Sequence, residues 1–170
     1  SQADEYDKDI AKAIRYAADN GAKVINGSFG KYHSTNAQWV WDAIKYAESK
    51  DVLFVNAAGN EGIDTDFTQV YPQDQVLADE EISDNFLTVG ALNFEYGSGL
   101  VANFSNYGKS SVDVFAPGVA IYSTAPNNEY RNAGGTSMAS PAVAGVAAVI
   151  RSQYPKLTAS QVKHVIMDSG

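Results

Sequence analysis

The sequence predicts an α/β fold: a parallel sheet with helices on both faces. Three observations carry that expectation. Amphipathic helical stretches alternate with short apolar stretches over the first third of the chain. The connections between them are short. A further helical stretch near the C-terminus is apolar almost all round, as befits a helix packed inside a domain. Strand, helix, strand with short connections is a βαβ unit, and such units build parallel sheets.

Residues 9–19 read as the first helix, because Ile10, Ala13, Ile14 and Ala17 recur at helical spacing while Lys12, Arg15 and Asp19 point outward. Asn20-Gly21 stops it, since glycine accepts the left-handed conformation there. Residues 22–26 form a short buried strand around Val24 and Ile25. Residues 36–49 form the second helix, with Trp39, Val40, Ala43, Ile44 and Ala47 on one face. Residues 52–56 are the next buried strand. Residues 59–84 read as irregular, being rich in Asp, Gln and Thr and carrying Pro72. Residues 87–89 are a short strand, and strands at 112–115 and 119–123 flank the Pro117-Gly118 turn. Residues 137–153 form the apolar helix; Pro141 fits only in its first turn, so the helix starts near Ser137. Residues 158–168 form a last amphipathic helix capped by Thr158 or Ser160.

A length of 170 residues fits one domain or a large piece of one. Hydrophobic residues at 45% against charged residues at 19% exclude the low-hydrophobicity signature of disorder. Twenty acidic and twelve basic residues leave a formal net charge of -8, which argues against nucleic acid and anionic membranes as partners. The absence of cysteine excludes disulfides, thiolate catalysis and Cys-based zinc sites. The longest apolar run, 142–150, is too short to span a bilayer. Ser1-Gln-Ala-Asp-Glu has neither the basic nor the apolar region of a signal peptide, so an export signal would lie upstream.

Three short segments carry the chemistry. In Gly134-Gly135-Thr136-Ser137-Met138-Ala139-Ser140-Pro141 a serine stands where a helix begins. Unsatisfied N–H groups and the positive end of the helix dipole suit a Ser137 nucleophile whose own N–H faces a developing oxyanion. Serine is also an ordinary N-cap, and that reading stays open. The G-x-S-x-G elbow of α/β-hydrolases is absent, because Ala139 stands where its second glycine would be. In Asn56-Ala57-Ala58-Gly59-Asn60-Glu61-Gly62 the Asn60 amide stands beyond the C-terminal end of a strand, where parallel sheets bind ligands. A plain Gly-Asn turn is the alternative. In Ile25-Asn26-Gly27-Ser28-Phe29-Gly30, small residues at a strand end leave main-chain groups open to an extended peptide, or simply end the strand.

Taken together, in this order and spacing, these segments resemble the subtilisin-like serine peptidases. The resemblance runs through Asn26-Gly-Ser-Phe-Gly30, Ala57-Ala-Gly-Asn-Glu-Gly62, Val89-Gly-Ala91, Ala102-Asn-Phe-Ser-Asn-Tyr-Gly108, Asp113-Val-Phe-Ala-Pro-Gly118 and Gly135-Thr-Ser-Met-Ala-Ser-Pro141. It implies that Ser137 attacks the scissile carbonyl, and that the Asn60 amide and Ser137 N–H hold the oxyanion. It further implies that Ser28, Phe29 and Gly30 pair with the substrate main chain, while Ala57, Ala58 and Gly59 wall the pocket for the residue before the cut. Glu61 resembles a rim residue of that pocket and would favour basic or polar substrate residues.

The resemblance also implies a catalytic Asp and His upstream of Ser137, and neither family block is present here. His33 and His164 are the chain's two histidines, and both read as non-catalytic. The chain is therefore expected to be the C-terminal part of a single subtilisin-like domain, inactive alone. An absent N-terminal half would leave sheet edges and apolar faces uncovered, to be met by that half or by self-association. The expected partner is a protein or peptide substrate, with no nucleic acid and no membrane, and family resemblance places the protein in the secreted or cell-envelope class. A non-catalytic peptide-binding scaffold that keeps the cleft is the competing reading.

No cofactor is required by this chemistry. A structural Ca²⁺ is implied by the family, and ten acids with no Lys or Arg between Lys50 and Lys109 draw attention to Glu81, Asp84 and their neighbours, Asp79 and Glu80 among them. A solvated acidic loop is the alternative.

Overall fold

The computed structural model describes residues 6–74 and 81–170. Asp79 and Glu80 lie outside the described residues.

A four-stranded sheet with order β1-β2-β3-β4 organises the fold. Its strands are β1 (Val24–Gly27), β2 (Leu53–Ala57), β3 (Phe86–Leu92) and β4 (Val114–Pro117). All three pairings are parallel, with Val24 opposite Leu53, Phe54 opposite Phe86 and Val89 opposite Val114. Side chains alternate across a strand, so β2 divides its apolar residues between two cores. Leu53 and Val55 face α3 (Thr136–Gln153) and α4 (Ala159–Asp168), meeting Ala139, Val143, Ala147, Val162 and Ile166. Phe54 faces α1 (Asp7–Asp19) and α2 (Ala37–Ser49), meeting Ile10, Ile14, Val40, Ala43 and Ile44. The expected α/β architecture, with helices on both faces of a parallel sheet, is what forms.

The helices follow their periodicity, with ends that depend on local chemistry. Thr158 caps α4: its hydroxyl accepts from Gln161 N while the Gln161 side chain accepts from Thr158 N, a capping box. The competing cap, Ser160, instead donates to Asp84. Helix α3 begins at Thr136 with Gly135 as its N-cap, so Ser137 is the helix's second residue and not the cap. Gly135 has φ 142°, a backbone conformation that favours glycine.

The structure differs from the expectation in two places. Helix α3 buries only one side: Ala139, Val143, Ala144 and Ala147 are enclosed, whereas Val146 and Val149 are 52% and 62% exposed. No element of the described chain covers that second side. The strand expected at 119–123 runs Ile121–Ala125 (β5) and pairs antiparallel with an unexpected strand, Glu129–Ala133 (β6). This hairpin is largely exposed on both faces, so it lacks the alternation by which strands are read. Three residues, Pro126, Asn127 and Asn128, join the two strands, and both asparagines adopt positive φ, which asparagine tolerates better than most residues.

Candidate active site

Because the sheet is parallel, the C-terminal ends of β1 and β2 lie side by side, with Gly27 opposite Asn56. Chain leaving β1 supplies Ser28, Phe29 and Gly30, and chain leaving β2 supplies Ala58, Gly59 and Asn60. The N-terminus of α3 packs against both. Between them lies a cleft of about 390 Å³ lined by Ser28, Phe29, Gly30, Ala57, Gly59, Asn60 and Ser137 among others. Seven of the eight residues singled out above thus share one cavity. Ala58 does not line it; Ala58 is buried, and its carbonyl is held by the Asn106 amide at 2.8 Å.

Two hydrogen-bond sets lock the site. Asn60 Oδ1 accepts from Thr136 N at 2.8 Å and from Thr136 Oγ1 at 3.1 Å. A backbone N–H can only donate, so this contact fixes which end of the amide is oxygen. The Asn60 NH₂ therefore faces away from Thr136 N. Thr136 Oγ1 also accepts from Gly59 N at 3.1 Å, which ties the whole turn to the helix start. On the other wall, Ser28 Oγ donates to the Ser137 carbonyl at 2.9 Å, and Ser137 Oγ donates to the Ser28 carbonyl at 3.3 Å. Asn26 Nδ2 donates to Ser28 Oγ at 2.8 Å, and Ser140 Oγ donates to Asn26 Oδ1 at 2.7 Å.

As the second residue of α3, Ser137 has an N–H with no intrahelical acceptor. The arrangement thus offers a hydroxyl, a helix-terminal N–H and a side-chain amide at one cleft. A carbonyl entering there would meet a nucleophile and donors to its oxygen.

The family description "Peptidase_S8: Subtilase family" matches residues 1–170. The chain belongs to the subtilase family. It is 46% identical over 146 residues to a thermophilic serine proteinase of Bacillus sp. (strain AK1), covering 85% of this chain and 32% of that protein. It is 39% identical over 156 residues to subtilisin DY of Bacillus licheniformis, covering 91% of this chain and 52% of that one. Among solved structures, sphericase superposes with a TM-score of 0.82 at 32% identity, covering 96% of this chain and 55% of that one. This subtilase chain spans between a third and about half the length of those proteins.

Three residues of this subtilase escaped the sequence reading. Thr136 and Ser140 stood inside the serine block, but their roles as clamps are set by residues more than 70 positions away. Asn106 is fully buried: its Oδ1 accepts from Glu61 N at 3.0 Å and Ile63 N at 3.3 Å, holding the segment beyond Asn60. Its only sequence signal was membership of the Ala102–Gly108 block.

Neither histidine lines the cleft. His33 is exposed, and His164 contacts Asp84 at 3.1 Å on α4. Glu81 and Asp84, the residues considered for Ca²⁺, are engaged elsewhere. Glu81 pairs with Lys163 at 2.9 Å, and Asp84 binds Ser160 and His164. Among the described residues no three acidic or histidine side chains converge as metal ligands, so no role is derived for the ion. Among the described residues no helix is long and apolar enough to cross a membrane.

Proposed function

We propose that this chain carries the nucleophile and oxyanion donors of a serine endopeptidase, with Ser137 and Asn60 in those roles. The observation that supports it most is the Thr136–Asn60 hydrogen bond, which turns the Asn60 amide outward beside the residue preceding Ser137. In this reading Ser137 Oγ adds to the scissile carbonyl carbon and its proton passes to a base. The Asn60 Nδ2 and Ser137 N–H hold the resulting oxyanion. Collapse expels the amine, which takes the proton and leaves an acyl ester on Ser137. Water then adds, the ester bond breaks and the acid is released. Ser28, Phe29 and Gly30 receive the substrate main chain, and Ala57 and Gly59 form the pocket wall. Among the described residues Glu61 is the one charged residue lining the cleft.

A free serine hydroxyl is almost wholly protonated at neutral pH and needs a base. With neither histidine in the cleft, the base and its carboxylate partner come from outside this chain. The β1 edge of the sheet and the exposed Val146 and Val149 support docking of that segment, or of a second copy. Kinship to bacterial subtilisins favours a secreted or cell-envelope setting.

The test uses an active-site fluorophosphonate. The chain alone is expected to label no more than its Ser137→Ala variant. A polypeptide joining it to an upstream segment bearing Asp and His is expected to label at Ser137 and to cleave casein. Labelling of the chain alone would overturn the external base. Absence of labelling and cleavage in the joined, folded polypeptide would overturn the peptidase reading in favour of a peptide-binding scaffold.

A further inference from the structure

Two cleft residues, Tyr32 and Val70, belong to none of the three segments that the sequence singled out for the site. Tyr32 stands two residues beyond Gly30, at a point where the chain is firmly held. Its neighbour Lys31 exchanges two backbone hydrogen bonds with Tyr71, at 2.9 and 2.8 Å. The Lys31 ammonium is buried and pairs with buried Asp7 at 2.7 Å. From this anchored root the Tyr32 side chain reaches the opposite wall. Its hydroxyl receives a hydrogen bond from Asn106 Nδ2 at 3.3 Å. It also lies against Gly59, where an added Cβ would sit 3.1 Å from the Tyr32 hydroxyl oxygen. Asn106 is the residue that holds Ala58, Glu61 and Ile63. Tyr32 lines the cleft together with Phe29, Gly59 and Val70 and remains 45% exposed.

The Tyr32 ring therefore crosses from one wall of the cleft to the other, and a ring in that position bounds the space between them. Both ends of the bridge are fixed: the root by a buried ion pair and two backbone bonds, the tip by a buried amide. A substrate side chain inserted between the walls meets a flat aromatic surface that cannot swing away without breaking the hydroxyl contact. Resting on the peptidase reading, we propose that Tyr32 is a specificity-determining residue that restricts the cleft to peptides with a small side chain before the scissile bond, excluding large aromatic ones.

The experiment measures kcat/KM for two peptide anilides differing only in that residue, Ala or Phe, in the polypeptide that joins this chain to its base. A ratio of two substrates on one enzyme is insensitive to the fraction of enzyme folded, which separates specificity from a general structural effect. The wild type is expected to prefer Ala. Tyr32→Ala should shift the Phe-to-Ala ratio upward by about tenfold or more, and Tyr32→Trp should shift it downward, as expected when pocket volume decides entry. Tyr32→Phe keeps the ring but releases its tip from Asn106, and should shift the ratio upward by less than Tyr32→Ala does. Unchanged ratios in Tyr32→Ala and Tyr32→Trp, with wild type active, would overturn the inference alone. If Tyr32→Ala does not fold, the Trp variant decides by itself. No Ser137-dependent hydrolysis in the wild type would sink the peptidase reading, and this inference with it.

Discussion

Asn60 and Thr136 are joined twice: the Asn60 side-chain oxygen accepts both the backbone N–H and the hydroxyl of Thr136, at 2.8 and 3.1 Å. Seventy-six positions separate them in the chain. The pair links the end of β2 to the start of α3, and with the oxygen engaged, only the NH₂ end of the amide is left for a ligand.

Replacing Asn60 by Leu should therefore remove an oxyanion donor and leave the main-chain contacts of the substrate in place. In the joined, active polypeptide we expect kcat to fall with KM little changed. The scale is that known for the corresponding loss in subtilisin, about 10²–10³ in turnover. Thr136→Val removes the hydroxyl clamp but keeps the N–H, and should lower kcat by a smaller factor. Steady-state kinetics on one peptide substrate checks both, and a rise in KM at constant kcat would contradict the assignment.

Lys31 and Asp7 form an ion pair in which both side chains are buried, at 2.7 Å. Asp7 Oδ2 also accepts from Asn36 N at 3.1 Å, so this carboxylate ties α1, the cleft segment and the start of α2 together. Burial opposes ionisation of Asp7, yet the Lys31 ammonium and the surrounding hydrogen bonds hold its carboxyl below the usual range. Lys31→Met should destabilise the fold by about 3–5 kcal/mol, because it strands a buried carboxylate. The double variant Lys31→Met, Asp7→Leu should recover much of that loss. Because the Asp7 carboxyl is depressed, its contribution is present above the unfolded carboxylate range and fades as pH falls through its folded value. Denaturant unfolding of the wild type, the single variants Lys31→Met and Asp7→Leu, and the double variant, repeated toward acid pH, measures the coupling.

Lys163 is buried and faces three carboxylates: Glu81 at 2.9 Å, Asp74 at 3.9 Å and Asp113 at 4.0 Å. Burial pushes the Asp74 carboxyl up to about 7, with the neighbouring Glu81 and Asp113 carboxylates adding to the rise against Lys163 and the Ser83 N–H. An acid raised on folding holds its proton more tightly in the folded state. Stability therefore declines as pH rises from the ordinary 3.8 to about 7 and is flat above that. Asp74→Asn keeps the acceptor for Ser83 N and removes the titration. The variant should gain on wild type across this window by up to about 1.4 kcal/mol per pH unit, the ceiling for one proton. Thermal unfolding between pH 4 and 8, about four units, reads the difference. Parallel curves for wild type and variant would contradict the account.

The order of elements, the parallel α/β plan and the identity of the cleft segments were legible in the chain. Periodicity is a local property: Ile10, Ile14, Val40 and Ile44 announce their helices without reference to the rest of the fold, and the apolar run of β2 announces a strand covered on both faces. The exposed strand β6 carried no such pattern, and the second, uncovered side of α3 was indistinguishable in sequence from its buried side. The sequence by itself thus determined the type of the helices and of the sheet strands, though not of β6, and that Ser137 and Asn60 follow a glycine-rich turn and a buried strand. Only the tertiary structure decided which end of the Asn60 amide is engaged, that Tyr32 bridges two walls, and that Lys163 meets three carboxylates. Those facts depend on distances between residues far apart in the chain, and spacing along a backbone does not encode them until the sheet register and the packing of α3 bring them together.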